Sequence, residues 1–374
     1  MIRMKSSVKR SGAVAAVLAV IVIVFNFFPS QAYAFIGKLT LYSVQGYLPV
    51  TKNVTIPEEE ENTEPTKEET AEKASAKKIS AKVKSSLTDV DDDISKLIKN
   101  AQKKASKDKK DGDIYEYTFT DDGATDSFGR VKVKNTNETQ IDIEKKLKEK
   151  LGLRVNKKEP TVLIYHTHTT ETYQLLDRDF YAQGFLSRSN DENRNMVRVG
   201  KAITDEIEKQ GYKVIHVTDV FDNPYTGAYS RSREVIEEYL EKYPSIQITL
   251  DVHRDAIQND SGIKTKPVAT VNGKKAAQIM LVTGCQEEGN GITDLPEWEK
   301  NLTFALKLQN ELETDFEGLT RPVFFCARSY NMGLTPMSLL VEVGTDANTL
   351  DEAVYSGKMV GRAFSDILKE YEEK

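Results

Sequence analysis

From about position 130 onward the apolar residues of this chain fall into alternating short and long blocks. The short runs Thr161–Tyr165, Tyr212–Val217, Ile246–Val252, Ala277–Thr283, Pro322–Cys326 and Ser338–Val343 are rich in branched residues and read as strands, with Val131–Val133 as a shorter one. Between them apolar positions recur at helical spacing. Val197, Val199, Ile203 and Ile207 stripe the segment 195–210, and Gly211 stops it. The same period predicts helices over 141–153, 230–243, 296–316 and 350–371. Strands that alternate with crossover-length helices predict an α/β domain, with a mostly parallel central sheet covered by helices on both faces.

The N-terminal third has a different texture. Arg3, Lys5, Lys9 and Arg10 precede an almost wholly apolar run from Ser11, which through Phe35 reaches the roughly 20 residues needed to span a bilayer. The basic end 1–10 is expected in the cytosol, 11–35 is expected as a transmembrane signal anchor, and everything after it lies outside. The alternative is a cleaved signal peptide, for which Ala32-Tyr33-Ala34 supplies a small-x-small site. A short extended piece is expected over 37–56. Residues 57–113 carry no aromatic side chain and few large apolar ones, too little to offset chain entropy. Residues 36–113 therefore read as a largely disordered extracytoplasmic tether, with one short helix over 87–98, and 114–374 as the catalytic domain. The composition agrees, since 29% charged against 39% hydrophobic residues is too polar for a uniformly packed globule. A net charge of −6 argues against general nucleic-acid binding. Cys285 and Cys326 are too few for a zinc knuckle and allow at most a single bridge.

The candidate chemistry sits at strand ends. Three of the four histidines follow or close apolar runs: His166 and His168 after Val162-Leu-Ile-Tyr165, and His253 after Ile248-Thr-Leu-Asp-Val252. A third run, Leu339-Leu-Val, ends in Glu342. Open α/β sheets place ligands in the crevice at such ends. His168, His253 and Glu171 of His168-Thr-Thr-Glu171 form a His₂Glu set that can hold zinc and leave a position open, with Asp191 or Asn193 as the substitute third residue. Glu342, buried and costly unless near a cation, suits a general base and acid; the alternative is a salt bridge to Arg254 or Arg328. Arg254 is a candidate for stabilising an oxyanion or binding a substrate carboxylate, or else for a structural ion pair. His166, two residues before His168 and expected on the same face, is a candidate ligand, a partner supporting the ligands or an oxyanion donor, and is counted with the substrate-binding residues, whereas His216, inside a strand, reads as structural. Tyr225, Tyr229 and Arg231, together with Arg328, Tyr330 and Asn331, lie in two loops expected to border the crevice and bind substrate.

The segments Leu163-Ile-Tyr-His166-Thr-His168-Thr-Thr-Glu171, Asp251-Val-His253-Arg254-Asp255, Tyr330-Asn331 and Leu340-Val-Glu342-Val-Gly344 resemble the stage II sporulation protein P family, which belongs with the zinc N-acetylmuramoyl-L-alanine amidases. The likeness runs from about Tyr115 to the C-terminus. It implies an amidase-like fold, Zn2+ as cofactor, metal ligands at His168 and His253, and the catalytic glutamate at Glu342. The family's remaining glutamate ligand falls near Asn193, a position that is itself not Glu, and Met332 stands where the family pattern has Gln. The resemblance further implies cleavage of the amide between the muramyl lactyl group and L-alanine, and endopeptidase cleavage of cross-links. It places a single-pass protein at the engulfment septum on the mother-cell side, thinning septal peptidoglycan during sporulation, with stage II sporulation proteins D and M as partners. Two other readings of the same residues are a zinc carboxypeptidase acting on cell-wall peptides and a non-catalytic peptidoglycan-binding scaffold.

Overall fold

In the computed structural model, which describes residues 87–373, an eight-stranded sheet carries the strand ends singled out above. The expected cytosolic end 1–10, membrane segment 11–35, extended piece 37–56 and tether up to residue 86 lie outside the described residues. Among the described residues no helix is long and apolar enough to cross a membrane.

In chain order the elements are α1 (Asp92–Lys104), β1 (Lys110–Tyr117), β2 (Asp126–Phe128), β3 (Val131–Asn135), α2 (Ile143–Lys148), β4 (Pro160–Tyr165), β5 (Phe180–Ala182) and α3 (Met196–Lys209). They continue with β6 (Lys213–His216), α4 (Ala228–Lys242), β7 (Ile248–Asp255), β8 (Lys264–Val271), β9 (Lys274–Ala277) and β10 (Ile279–Gly284). The last are α5 (Trp298–Asp315), β11 (Val323–Cys326), β12 (Met337–Thr345) and α6 (Leu350–Glu370). The large sheet has the order β2-β3-β11-β10-β12-β7-β4-β6, and β5-β1-β8-β9 form a second, four-stranded sheet.

The expectation of a mostly parallel sheet is corrected. The sheet is mixed: β6, β4, β7 and β12 run parallel, but β10 is antiparallel to β12 and β2 to β3. The cause is connectivity. A parallel neighbour needs a crossover, usually helical, whereas β10 follows the β8–β9 hairpin after the single residue Gln278, and no helix lies between β11 and β12. The hairpin turn uses Asn272 and Gly273, both at positive φ, the pairing that a tight two-residue connection favours.

Side-chain alternation decides which face does what. Val162, Ile164, Ile248, Leu250, Val252, Leu339, Val341 and Val343 enter the main core with residues of α3, α5 and α6. The intervening residues face the other way, where Leu163 and Tyr165 pack with Ile236 of α4. Thr249, Asp251, His253 and Glu342 follow that second parity and stand on the α4 side. On the core side α3 and α6 meet at Gly357 and Gly361, where an added Cβ would collide with the α3 backbone at Val199 and Ile203. Cys285 enters the main core and Cys326 packs with Val282 and Leu340 on the opposite face; both thiols are free.

The boundary expected at 114 is also corrected. Leu87 and Ile94 are buried in the main core, and the helix expected over 87–98 is α1, displaced toward the C-terminus. Arg198 at the start of α3 pairs with Asp91 and Asp93, and Lys358 of α6 pairs with Asp91 at 2.8 Å, so charge latches this arm to the domain.

Candidate metal centre

The pairing register places His253 of β7 directly opposite Glu342 of β12, and Asp251 opposite Tyr165 of β4. His168 follows three residues past β4. Its ring meets that of His253 edge-on with centroids 5.2 Å apart. Glu171, one turn further along and buried, brings Oε2 to 3.8 Å from His253 Nδ1. The other ring nitrogen of His253 lies 2.7 Å from Asp251 Oδ1, off the line of a hydrogen bond, and keeps no hydrogen-bond partner. Asp251 is itself anchored, accepting from Thr167 N at 2.8 Å and from Thr167 Oγ1 at 2.7 Å.

Three buried polar atoms here have no hydrogen-bond partner: His168 Nδ1, His253 Nε2 and Glu342 Oε2. Buried polar atoms without partners are rare, and several together mark a place built for something else. Charge points the same way. Burial, the neighbouring His253 and Arg188 pull the His168 imidazole down to about 3, so it stays neutral and able to bind a cation. Burial opposes a charge on His253, but Asp251, Glu171 and Glu342 outweigh it and hold that ring up to about 9. The carboxylates thus favour a cation at this place, and a metal ion would compete with a proton for the His253 ring. Enclosure, then the Asp255 charge, raises the Glu342 carboxyl above the usual carboxylate range, with His253 acting against them. Imidazole nitrogens and carboxylates are the donors zinc prefers, so these residues fit that ion in kind. Their ligand atoms are not drawn together as a closed triplet. Among the described residues, the group of three whose ligand atoms lie within 4.8 Å of one another is Glu311, Asp315 and Asp366 on α5 and α6, an all-carboxylate cluster on the far side of the sheet.

Aromatic rings wall the centre. Tyr225 stacks on His168 at 4.6 Å and 11°, Tyr229 stacks parallel to His253 at 6.4 Å, and Tyr330 stacks on Tyr229 at 5.5 Å. Tyr330 and Asn331 sit at positive φ, a conformation that turns the β11–β12 loop back toward α4. Arg328, in the same loop, is exposed.

Four expectations are corrected. His166 is fully buried on the α3 side: the chain leaves β4 at Tyr165 and turns, so His166 and His168 do not share a face. Its Nδ1 lies 2.8 Å from the Val252 carbonyl and must carry the proton; its Nε2, 2.9 Å from His216 Nε2, accepts from that ring. Arg254 is buried and gives three of its five guanidinium N–H groups to the carbonyls of Thr172, Ser187 and Asp255, a structural role in which it ties down the loop that carries Glu171. Arg231 is held by the carbonyls of Phe221, Pro224 and Thr226 and shapes the loop that presents Tyr225. Asn331 gives its amide to the Tyr229 carbonyl at 2.8 Å and to Ser232 Oγ at 3.1 Å, and so fixes the loop against α4. The substitute ligands Asp191 and Asn193 are exposed, Asp191 Oδ1 accepting from Asn193 N at 3.1 Å.

Two site residues escaped the sequence reading. Asp251 could have been found from its position two before His253 on the same strand face. Arg188, which pairs with Asp222, reaches Glu171 Oε1 at 3.4 Å and lies 4.8 Å above the Tyr225 ring, comes from a loop with no legible pattern.

The sequence matches the stage II sporulation protein P family over residues 40–365. Stage II sporulation protein P of Bacillus subtilis strain 168 is 27% identical over 224 residues, 57% of this chain and 52% of that protein, so the chain spans about half the length of the curated relative it matches. Among solved structures, N-acetylmuramoyl-L-alanine amidase AmiC2 of Nostoc punctiforme aligns with 58% of this chain and 98% of its own, at 12% identity and a TM-score of 0.33. The CwlD amidase from Clostridioides difficile in complex with the GerS lipoprotein aligns with 56% of this chain and 98% of its own, at 14% identity and a TM-score of 0.34.

Proposed function

This chain belongs to the stage II sporulation protein P family, and from that membership we propose that it is a zinc-dependent peptidoglycan hydrolase of sporulation, an N-acetylmuramoyl-L-alanine amidase that also cleaves peptide cross-links. It acts at the engulfment septum from the mother-cell side, anchored through residues 11–35, with peptidoglycan as substrate and stage II sporulation proteins D and M as partners. The observation that carries the reading is the meeting of two imidazoles and two carboxylates at the ends of the adjacent parallel strands β4, β7 and β12, with three of their buried polar atoms unpartnered.

His168, His253 and Glu171 are the residues that would hold the ion. Bound there, zinc would supply a Lewis acid for the scissile carbonyl and for the attacking water. The Asp251 carboxylate lies 2.7 Å from the far nitrogen of His253, and its charge favours the ring orientation in which Nδ1 faces Glu171. Glu342, whose raised carboxyl pKa lies closer to neutrality than that of an ordinary glutamate, takes the proton from the water and returns it to the leaving amine. Tyr225 and Tyr229 wall the two imidazoles and limit water around them.

The test is the full-length chain on purified peptidoglycan, with zinc content measured beside the products. The wild type is expected to bind zinc and release stem peptides from glycan. Glu342→Gln is expected to keep the zinc and lose about 100-fold or more in hydrolysis, as removal of a general base does. Loss of zinc from His168→Ala and His253→Ala completes the pattern. Hydrolysis that survives in Glu342→Gln, or that never requires metal, contradicts it.

A further inference from the structure

The second sheet has an outer face that the proposed chemistry does not use. On β1 the parity is inverted relative to a buried strand. Ile114 points inward, and Glu116 reaches Lys266 at 3.0 Å and Lys275 at 2.7 Å, while Tyr115 is 60% and Tyr117 36% exposed. Phe119 follows at the next position of the same parity. The three rings form a ladder, with Tyr115 stacked on Tyr117 at 6.3 Å and Tyr117 edge-on to Phe119 at 4.8 Å. Large apolar side chains in a row on an exposed strand cost solubility and mark a binding face.

The ladder is rigid and leads to the metal centre. Tyr117 Oη donates to Asp122 Oδ1 at 2.7 Å, which fixes its ring, and Thr118 Oγ1 donates to the Val268 carbonyl at 2.7 Å, which fixes the chain beside it. Phe119 N donates to Gln278 Oε1 at 2.7 Å. The Arg321 guanidinium lies 4.7 Å above the Phe119 ring and pairs with Asp255 at 2.9 Å. Asp255 is two residues past His253 on β7 and is paired in register with Thr345, three past Glu342. The aromatic face thus continues from the strand-end crevice through Arg321 and Phe119 to Tyr117 and Tyr115.

We propose that Tyr115, Tyr117 and Phe119 bind the glycan strand of peptidoglycan, a β-linked polymer of N-acetylated amino sugars, and lay it alongside the crevice. The proposal rests on the peptidoglycan reading above. Sugar rings present flat C–H faces that pack on aromatic rings, and a linear β-linked chain offers them in a row, as the ladder does. Charge is consistent with that occupant. Around the ladder Asp113 pairs with Lys110 and Asp121 with Lys132, while Asp122 accepts from Tyr117, so the rim is ion-paired and suits a polymer whose backbone is uncharged where its lactyl groups are amidated.

The test uses the full-length chain carrying Glu342→Gln, so that nothing is cleaved, and as the probe glycan strands stripped of stem peptides with their freed lactyl carboxylates capped as simple amides, so that the strand is uncharged. Tyr115→Ala with Tyr117→Ala is expected to weaken binding about tenfold or more, as loss of aromatic anchors does, and Tyr→Trp at both positions to restore it. In the catalytically intact chain the double Ala variant is expected to cut intact sacculi poorly while cleaving a soluble muramoyl-peptide monomer at the parental rate. Because both tyrosines are exposed, an unchanged melting temperature confirms that the variant folds. Undiminished binding of stripped glycan by the double variant overturns the proposal. So does binding that requires stem peptides, or a chain that self-associates only while the ladder is intact. A chain that binds stripped glycan through the ladder but hydrolyses nothing refutes the hydrolase reading and leaves this one standing.

Discussion

Asp251 Oδ1 stands 2.7 Å from His253 Nε2 at the end of β7, and the opposite nitrogen of that ring faces Glu171 Oε2 at 3.8 Å. One strand thereby supplies both a candidate ligand and the carboxylate that orients it, the arrangement common behind metal-binding histidines.

Asp251→Asn keeps the shape and removes the charge. Its expected effect is a zinc affinity lower by about 10- to 100-fold, the usual cost of losing such a partner. Competition with a chromophoric chelator measures it. An unchanged affinity would mean that His253 is oriented without Asp251.

Arg254 separates a structural from a catalytic role. Because it is buried and serves three carbonyls, Arg254→Ala is expected to destabilise the fold by about 3 kcal/mol, strands of the Glu171 loop being left with unpaired acceptors. Thermal or urea unfolding reads this out. A stable variant that loses only turnover would favour the oxyanion role over this structural one.

Gly200, inside α3, tests packing against propensity. Alanine gains about 1 kcal/mol in a helix interior. Here the added Cβ would overlap the His166 ring and approach His216 Nε2 at 2.6 Å, and His166 is pinned by the Val252 carbonyl. Gly200→Ala is therefore expected to lower the melting temperature; a rise would show that the histidine pair can shift.

Acid should release the arm 87–105. Lys358 and Arg198 outweigh burial to hold the Asp91 carboxyl below its ordinary 3.8, and the hydrogen bond from Arg198 likewise holds Asp93 below it. Groups whose folded pKa is depressed contribute stability that is present above the unfolded pKa and lost as pH falls through the folded one. The protection of α1 against hydrogen exchange, taken relative to intrinsic exchange at each pH, is expected to be high at pH 6 and to fall below about pH 4, ahead of the central strands. Equal protection at both pH values would show that apolar packing of Leu87 and Ile94 alone holds the arm.

The large sheet was legible because its strands are buried and its helices carry one apolar stripe, so Thr161–Tyr165, Ile246–Val252 and the helix ending near Gln210 are found within a few residues of their expected bounds. The second sheet was not. β8 reads Lys264-Thr-Lys-Pro-Val, and its buried positions include Lys264 and Lys266, the latter neutralised by Glu116, Asp177 and Glu352. A strand whose inner face is held by ion pairs shows no apolar alternation. The direction of β10 was invisible for a related reason: no hydrophobic period announces a hairpin. At the site, the strand-end rule brought His168, His253 and Glu342 to notice, but carried His166 with them, because the end of β4 at Tyr165 leaves no mark in the pattern. Arg254 and Arg231 have the chemistry of substrate binders, and only the carbonyls around them show where that chemistry is spent.

Anomalous diffraction at the zinc edge, from crystals of the full-length chain grown with the metal, addresses the central claim most directly. A single strong peak is expected on the α4 side of the sheet, about 2.0–2.2 Å from an imidazole nitrogen of His168, one of His253 and a carboxylate oxygen of Glu171. A peak at Glu311, Asp315 and Asp366 with none between the two histidines would contradict it.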